Sequence, residues 1–276
     1  MSSSLQPESV LPASGPRTED PTLRALRQWV ANRLGLRFDY QRSDFRARIE
    51  AFCRTVHHAP EELLDKLLAE DPEMVARVAE IISTNHTSFY REPEAFTVFQ
   101  ETVLPSLPLG PLRIWSAAAS SGEEAYTIAF CVRDALGADA AARVRILGTD
   151  ISDRQIKLAE RGLSPRFLLP ADPQLLARFI QQGEDYEVPE AVRAMCLFRR
   201  MNLVQMPWPL SKRFNVVFLR NVLYYFKPTL QQRILEACYD VVEPGGWLFT
   251  SLTEPLLDVE TRFCRVAPGL FQRLRE

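Results

Sequence analysis

Leu112-Arg113-Ile114-Trp115-Ser116-Ala117-Ala118-Ala119-Ser120-Ser121-Gly122-Glu123-Glu124 changes character twice within thirteen residues. It opens as a short apolar run of strand length, passes through small side chains, and enters a helical pattern that continues to Leu136 and closes at Gly137. A strand that feeds a helix through a small-residue loop is the first half of a βα unit. Small side chains let the backbone approach a ligand, and the following helix points its amide dipoles back at the loop.

The same rhythm continues downstream. Apolar runs at 144–149, 214–219 and 247–252 join 112–117 as candidate strands of a parallel sheet covered on both faces. Helices are expected over 152–161, closed by Gly162, and over 229–242, after Pro228 and before Pro244-Gly245-Gly246. The fold class is therefore α/β, a doubly wound Rossmann-like sheet. Residues 164–201 interrupt the alternation and read as an inserted small β-subdomain, and 263–274 can supply closing antiparallel strands. Upstream, 22–82 is helical throughout. Stripes such as Leu23, Leu26, Val30, Leu34 and Phe45, Ile49, Phe52, Val56 are broken at Gly35, Pro60 and Pro72, which predicts a small all-α domain of about four helices. The Ser/Pro-rich residues 1–21 read as a disordered leader.

Composition narrows the function classes. A net charge of −2 excludes a general nucleic-acid binder, although 23–58 holds eight Arg against three acids. Five scattered Cys without a CxxC pair imply a reducing compartment, and three His make a metal centre improbable, so no metal is expected. No apolar run approaches the roughly 18 residues of a membrane span. The expectation is a cytoplasmic monomer without membrane insertion.

In an open α/β sheet, ligands bind beyond the carboxyl ends of the strands. There the sequence places Ser120 to Glu124, then Asp150, then Arg220-Asn221-Val222 with Tyr224 and Tyr225. Asp150 suits the two hydroxyls of a ribose, since an ionised carboxylate only accepts hydrogen bonds. Bland readings exist for each: Ser121-x-x-Glu124 is also a capping box, Asp150 could cap a helix, and Asn221 could tie a loop. The loop is not G-x-G-x-x-G, which disfavours nicotinamide and flavin. A nucleoside ligand without pyrophosphate is preferred, such as S-adenosylmethionine.

Four blocks resemble CheR, the chemotaxis protein-glutamate methyltransferase family: Thr84-Asn85-His86-Thr87-Ser88-Phe89-Tyr90-Arg91-Glu92; 114–124; Gly148-Thr149-Asp150-Ile151; and Arg220-Asn221-Val222-Leu223-Tyr224-Tyr225-Phe226. The resemblance implies a helical recognition domain (22–83), a linker that covers the cofactor (84–111) and an S-adenosylmethionine-binding domain (112–276). It also implies that Asn85, Thr87 and Arg91 close over the cofactor, that Glu123 or Glu124 meets it, and that Asp150 holds its ribose. Asn202 and Leu203 flank the adenine, Arg220 and Asn221 line the methionine end, and Arg91 and Tyr225 lie nearest the transferred methyl. The implied products are a glutamate 5-O-methyl ester and S-adenosylhomocysteine. The implied partner is the helical region of chemoreceptors, met by a basic face including Arg42, Arg46 and Arg54. A non-chemotaxis sensory substrate, or a non-catalytic cofactor-binding module, are the competing readings. The small subdomain resembles one that grips a receptor tether in some members, but 179–188 is short for that. Two runs depart from the family pattern, Ser251-Leu252-Thr253-Glu254 and Gly162-Leu163-Ser164-Pro165, and both are expected to lie clear of the cofactor contacts.

Overall fold

The computed structural model describes residues 20–35, 42–82, 86–252, 254 and 260–275. Four helices open the chain, α1 (Pro21–Arg33), α2 (Arg42–Val56), α3 (Pro60–Leu68) and α4 (Pro72–Ile82). Each has an apolar face, and Leu26, Val30, Ile49, Leu63, Leu67 and Val78 are fully enclosed in the core they share. Asp20 caps α1 by accepting from the Thr22 and Leu23 N–H groups, and Arg48 donates to the last carbonyls of α4, Ile81 and Ile82.

The second unit is built on seven strands: β1 (Leu112–Ala117), β2 (Val144–Asp150), β6 (Cys196–Arg200), β7 (Phe214–Phe218), β8 (Val242–Phe249), β9 (Cys264–Ala267) and β10 (Leu270–Gln272), in the order β6-β2-β1-β7-β8-β10-β9. The first five are parallel, and β10 runs antiparallel to both β8 and β9. Separate apolar cores cover the two faces, which is why the strands read as near-continuous hydrophobic runs. The strand order reverses between β1 and β7, so the crevice outside their carboxyl ends is the expected ligand site.

Two boundaries differ from expectation. The inserted sheet consists of β3 (Leu163–Pro165), β4 (Ile180–Gln182) and β5 (Asp185–Glu187), with β4 and β5 joined by a two-residue hairpin at Gly183 and Glu184. Residues 196–200, assigned to the insertion from sequence, are instead β6, an edge strand of the main sheet. Phe198 lies opposite Gly148 and packs where a Cβ would stand, only 2.5 Å from its ring. The other difference is β8, which begins at Val242, and the Pro244-Gly245-Gly246 turn falls inside it.

Candidate functional site

The loop after β1 holds Ala118 and Ser120 at positive φ, 67° and 49°. This turns the Ser120 N–H toward the end of β2, where it donates to Asp150 Oδ2 at 2.9 Å, and the Ser152 N–H donates to Oδ1 at 2.9 Å. Asp150 is 6% exposed. Burial raises its pKa, against the pull of the Ser152, Ser120 and Ile151 N–H groups. A carboxylate offers about four lone-pair directions, so Asp150 can tie the loops and still accept from a ligand. The Ser120 hydroxyl is buried without a partner among the described residues.

The two glutamates have separate partners. Glu123 accepts from Ser121 Oγ (2.8 Å) and Ser164 Oγ (3.2 Å), and also from Thr87. Burial nonetheless raises its pKa beyond what these hydroxyls offset. Glu124 accepts from Ser116 Oγ at 2.7 Å and Arg220 at 3.0 Å. Its burial outweighs the Arg220 charge and raises its pKa as well. The capping box read at Ser121 and Glu124 is therefore not formed in that way, because both side chains turn to other partners, whereas Ser152 does cap its helix by accepting from Gln155 N–H.

Arg220, at the end of β7, is enclosed. Its guanidinium donates to Glu124, to Glu92 Oε2 at 3.1 Å and to the Arg91 carbonyl at 2.6 Å, and lies 5.1 Å from the Phe96 ring centre. Glu92 was not singled out as a site residue from sequence, yet it is the hub of this side. Its Oε1 also accepts from Asn221 (2.9 Å) and Ser251 Oγ (2.8 Å). Burial alone would raise Glu92, but the Asn221 and Ser251 hydrogen bonds and the Arg220 charge outweigh it and lower its pKa. Glu92 and Asn221 both stand at positive φ, 56° and 55°, strained for residues with side chains. Arg91 turns away from Glu92. Its guanidinium donates to the His86 carbonyl at 2.6 Å. Glu92→Gln is expected to cost about 1–3 kcal/mol at pH 7. A group whose folded pKa is lowered stabilises above its ordinary value, here 4.5. The deficit should therefore fade as pH falls below about 4.5, through the lowered value. Urea titrations of both proteins across pH 3–7 measure this.

Both departing runs touch the site, contrary to expectation. Ser164 bonds Glu123, and Ser251 bonds Glu92. Glu254 accepts from the Val222 and Leu223 N–H groups at 2.7 Å each and from Ser251 N–H at 3.0 Å, clamping the turn Leu223–Tyr225. Tyr225 is half-buried beside exposed Tyr224. At the other end of the crevice, Ile151, Met201 and Asn202 face Arg33, Val75 and Ala79 of the helical domain across a cavity of about 450 Å³. Leu203 is buried in the core beneath, with its carbonyl accepting from Trp208 Nε1. Asn85 and the Arg42 side chain lie outside the described residues.

Asp150, Glu124, Arg220, Asn221 and the Arg91–Glu92 segment thus converge on the strand-order reversal of a doubly wound sheet. That defines a Rossmann-like, nucleoside-binding class of protein. A family model described as "CheR methyltransferase, SAM binding domain" matches residues 85–268. The chain is 31% identical over 228 residues to a "Chemotaxis protein methyltransferase 1" of Pseudomonas aeruginosa, covering 78% of this chain and 82% of that one. It is 33% identical to a chemotaxis protein methyltransferase of Klebsiella aerogenes (71% and 70% covered) and 29% identical to one of Vibrio anguillarum (77% and 81% covered). The chain belongs to the CheR methyltransferase family and is an S-adenosylmethionine-dependent methyltransferase.

The donor set fits that cofactor. One enclosed guanidinium pairs with two of the site's four carboxylates, Glu92 and Glu124, while Glu123 and Asp150 accept from hydroxyl and N–H groups, an acidic balance suited to a ligand carrying sulfonium and ammonium cations.

Proposed function

We propose that this protein esterifies glutamate side chains on the cytoplasmic helical region of chemoreceptors, yielding glutamate 5-O-methyl ester and S-adenosylhomocysteine and so adapting the sensory response. The observation that carries this reading is the joining of two strand ends, those of β7 and β8, to the covering segment through Glu92, beside Arg91 and Tyr225.

S-adenosylmethionine supplies a sulfonium methyl group. Asp150 would hold the ribose, Ile151 and Asn202 would flank the adenine above the buried Leu203, and Glu124, Arg220 and Asn221 would frame the methionine end. Thr87 and Asn85 belong to the covering segment, with Thr87 acting through Glu123. A glutamate carboxylate, with an unperturbed pKa of about 4.3, is already anionic at neutral pH and needs no general base. Rate enhancement comes from alignment and from removing water around the anion. Arg91 and Tyr225 are the positioning groups for the acceptor. Arg91→Ala should lower turnover roughly 100-fold with little loss of stability, since misplacement of about 1 Å has that effect. Near-normal turnover would remove Arg91 from the reaction.

The protein acts as a cytoplasmic monomer in this reading. Among the described residues no helix is long and apolar enough to cross a membrane. The acceptor is met by α2, where Arg46, Glu50 and Arg54 share one face at helical spacing and Glu50 pairs with Arg46 at 2.6 Å. The basic face is thus partly neutralised, and Arg54 carries more of the expected attraction to an acidic helix bundle. Incubation with tritiated S-adenosylmethionine and membranes of the source organism tests the function: base-labile label on a receptor-sized band is expected. Label on another class of protein, or base-stable label, would overturn it.

A further inference from the structure

The turn that carries Tyr225 presents a second phenol that the proposed mechanism does not use. Tyr224 is 44% exposed, and its hydroxyl lies 2.9 Å from the Tyr225 hydroxyl, with ring centres 4.2 Å apart at 47°. The pair is not a chance meeting of two mobile side chains. The backbone beneath it is fixed on both sides: Glu254 accepts from two N–H groups of the turn, Gln231 donates to the Leu223 and Phe226 carbonyls, and Asn221 is held at positive φ by Glu92.

We infer that Tyr224 is a positioning residue for methyl transfer, donating its hydroxyl hydrogen to Tyr225 so that the Tyr225 hydrogen is free to point at the acceptor carboxylate. The inference rests on the proposed role of Tyr225. A phenol has one hydrogen and two lone pairs. When Tyr224 is the donor, Tyr225 accepts on one lone pair and its own hydrogen has no other partner among the described residues. Burial, and the hydrogen bond to Tyr225, keep the Tyr224 phenol protonated despite the nearby Arg91 charge, which is the state a donor requires. A chain of two hydroxyls also polarises the outer O–H and strengthens its bond to an anion. One carboxylate oxygen held by Tyr225 leaves the other to attack. The arrangement thus selects an orientation of the glutamate and does not change its charge.

The test compares Tyr224→Phe, Tyr225→Phe and the double variant, with tritiated S-adenosylmethionine and source-organism membranes. Tyr224→Phe keeps the ring, so packing is retained and only the hydrogen bond is lost. Its kcat should fall roughly two- to tenfold, the span of one neutral hydrogen bond. The Kd for S-adenosylhomocysteine by calorimetry, the cofactor KM and the melting temperature should not change. Tyr225→Phe should fall further, and adding Tyr224→Phe to it should have no additional effect, because the donor has lost its acceptor. Three results overturn the inference separately from the reading beneath it. These are an unchanged kcat in Tyr224→Phe while Tyr225→Phe is impaired, equal factors in both backgrounds, or a loss that appears in cofactor affinity instead of kcat. If Tyr225→Phe is itself fully active, the role of Tyr225 falls and the inference falls with it.

Discussion

Arg220→Met should destabilise the protein by about 3–5 kcal/mol at pH 7, the usual result of removing one member of a buried ionic cluster. The Arg220 side chain is 1% exposed and stands between Glu92 and Glu124. Methionine fills much of the volume and keeps contact with the Phe96 ring, so the loss is electrostatic and not a cavity effect. Without the guanidinium, two carboxylates remain in one enclosed space and the Arg91 carbonyl loses its donor. The two acids should respond differently. Among the described residues Glu92 retains hydrogen bonds from Asn221 and Ser251, whereas Glu124 retains only Ser116. Adding Glu124→Gln to Arg220→Met should therefore recover part of the loss, and more than adding Glu92→Gln does. Urea unfolding of the single and double variants measures this, and a single-variant loss below about 1 kcal/mol would mean that water already reaches the cluster.

What the sequence revealed and what it hid have a common cause. β1, β2 and β7 lie within the sheet with partners on both sides, so their residues are mostly apolar and are readable as strands. Among the described residues β6 pairs only with β2, and its pattern Cys196-Leu197-Phe198-Arg199-Arg200 buries Phe198 while exposing Leu197 and both arginines. An edge strand has only one neighbour to enforce its pattern, and here the local signal was too weak to separate it from the small sheet. The Gly148 position was the available clue, since a glycine inside a strand signals close approach by a neighbour.

The site follows the same division. Asp150, Arg220 and Asn221 were legible because a strand end is a local feature and delivers its next residue to a known edge. Glu92 was not. Its partners are 128 and 159 positions away, and nothing in Arg91-Glu92-Pro93 indicates that the carboxylate turns from its own helix toward β7 and β8. The same holds for Ser164 and Ser251. They were read as departures remote from the cofactor, but each satisfies a carboxylate, buried at Glu123 and partly buried at Glu92, whose charge would otherwise be costly. Short polar residues at such positions gain their meaning only from the acid that they face.

Asp150→Ala should weaken S-adenosylmethionine binding by roughly 10²–10⁴-fold, if each of two ribose hydroxyls contributes about 1.5–3 kcal/mol through a hydrogen bond to an ionised acceptor. Asp150 also ties the β1 loop to the β2 loop through the Ser120 and Ser152 N–H groups, so the variant should lose some stability as well. Asp150→Asn does not separate these roles, because its amide nitrogen would face an N–H donor on one side. Acidification does separate them. Burial raises the Asp150 pKa above its ordinary 3.8, so protonation begins at a higher pH than for an exposed carboxyl. A protonated carboxyl releases one acceptor position while the fold remains intact. Cofactor affinity of the unmodified protein should therefore decline on acidification before the melting temperature does, and the decline should be smaller in Asp150→Ala, where Glu123 and Glu124 remain. Calorimetry and thermal melts over the same pH series give both curves. An unchanged affinity in Asp150→Ala would reduce this residue to a loop tie, and the acidic decline would then have to arise from Glu123 or Glu124, whose pKa values burial also raises.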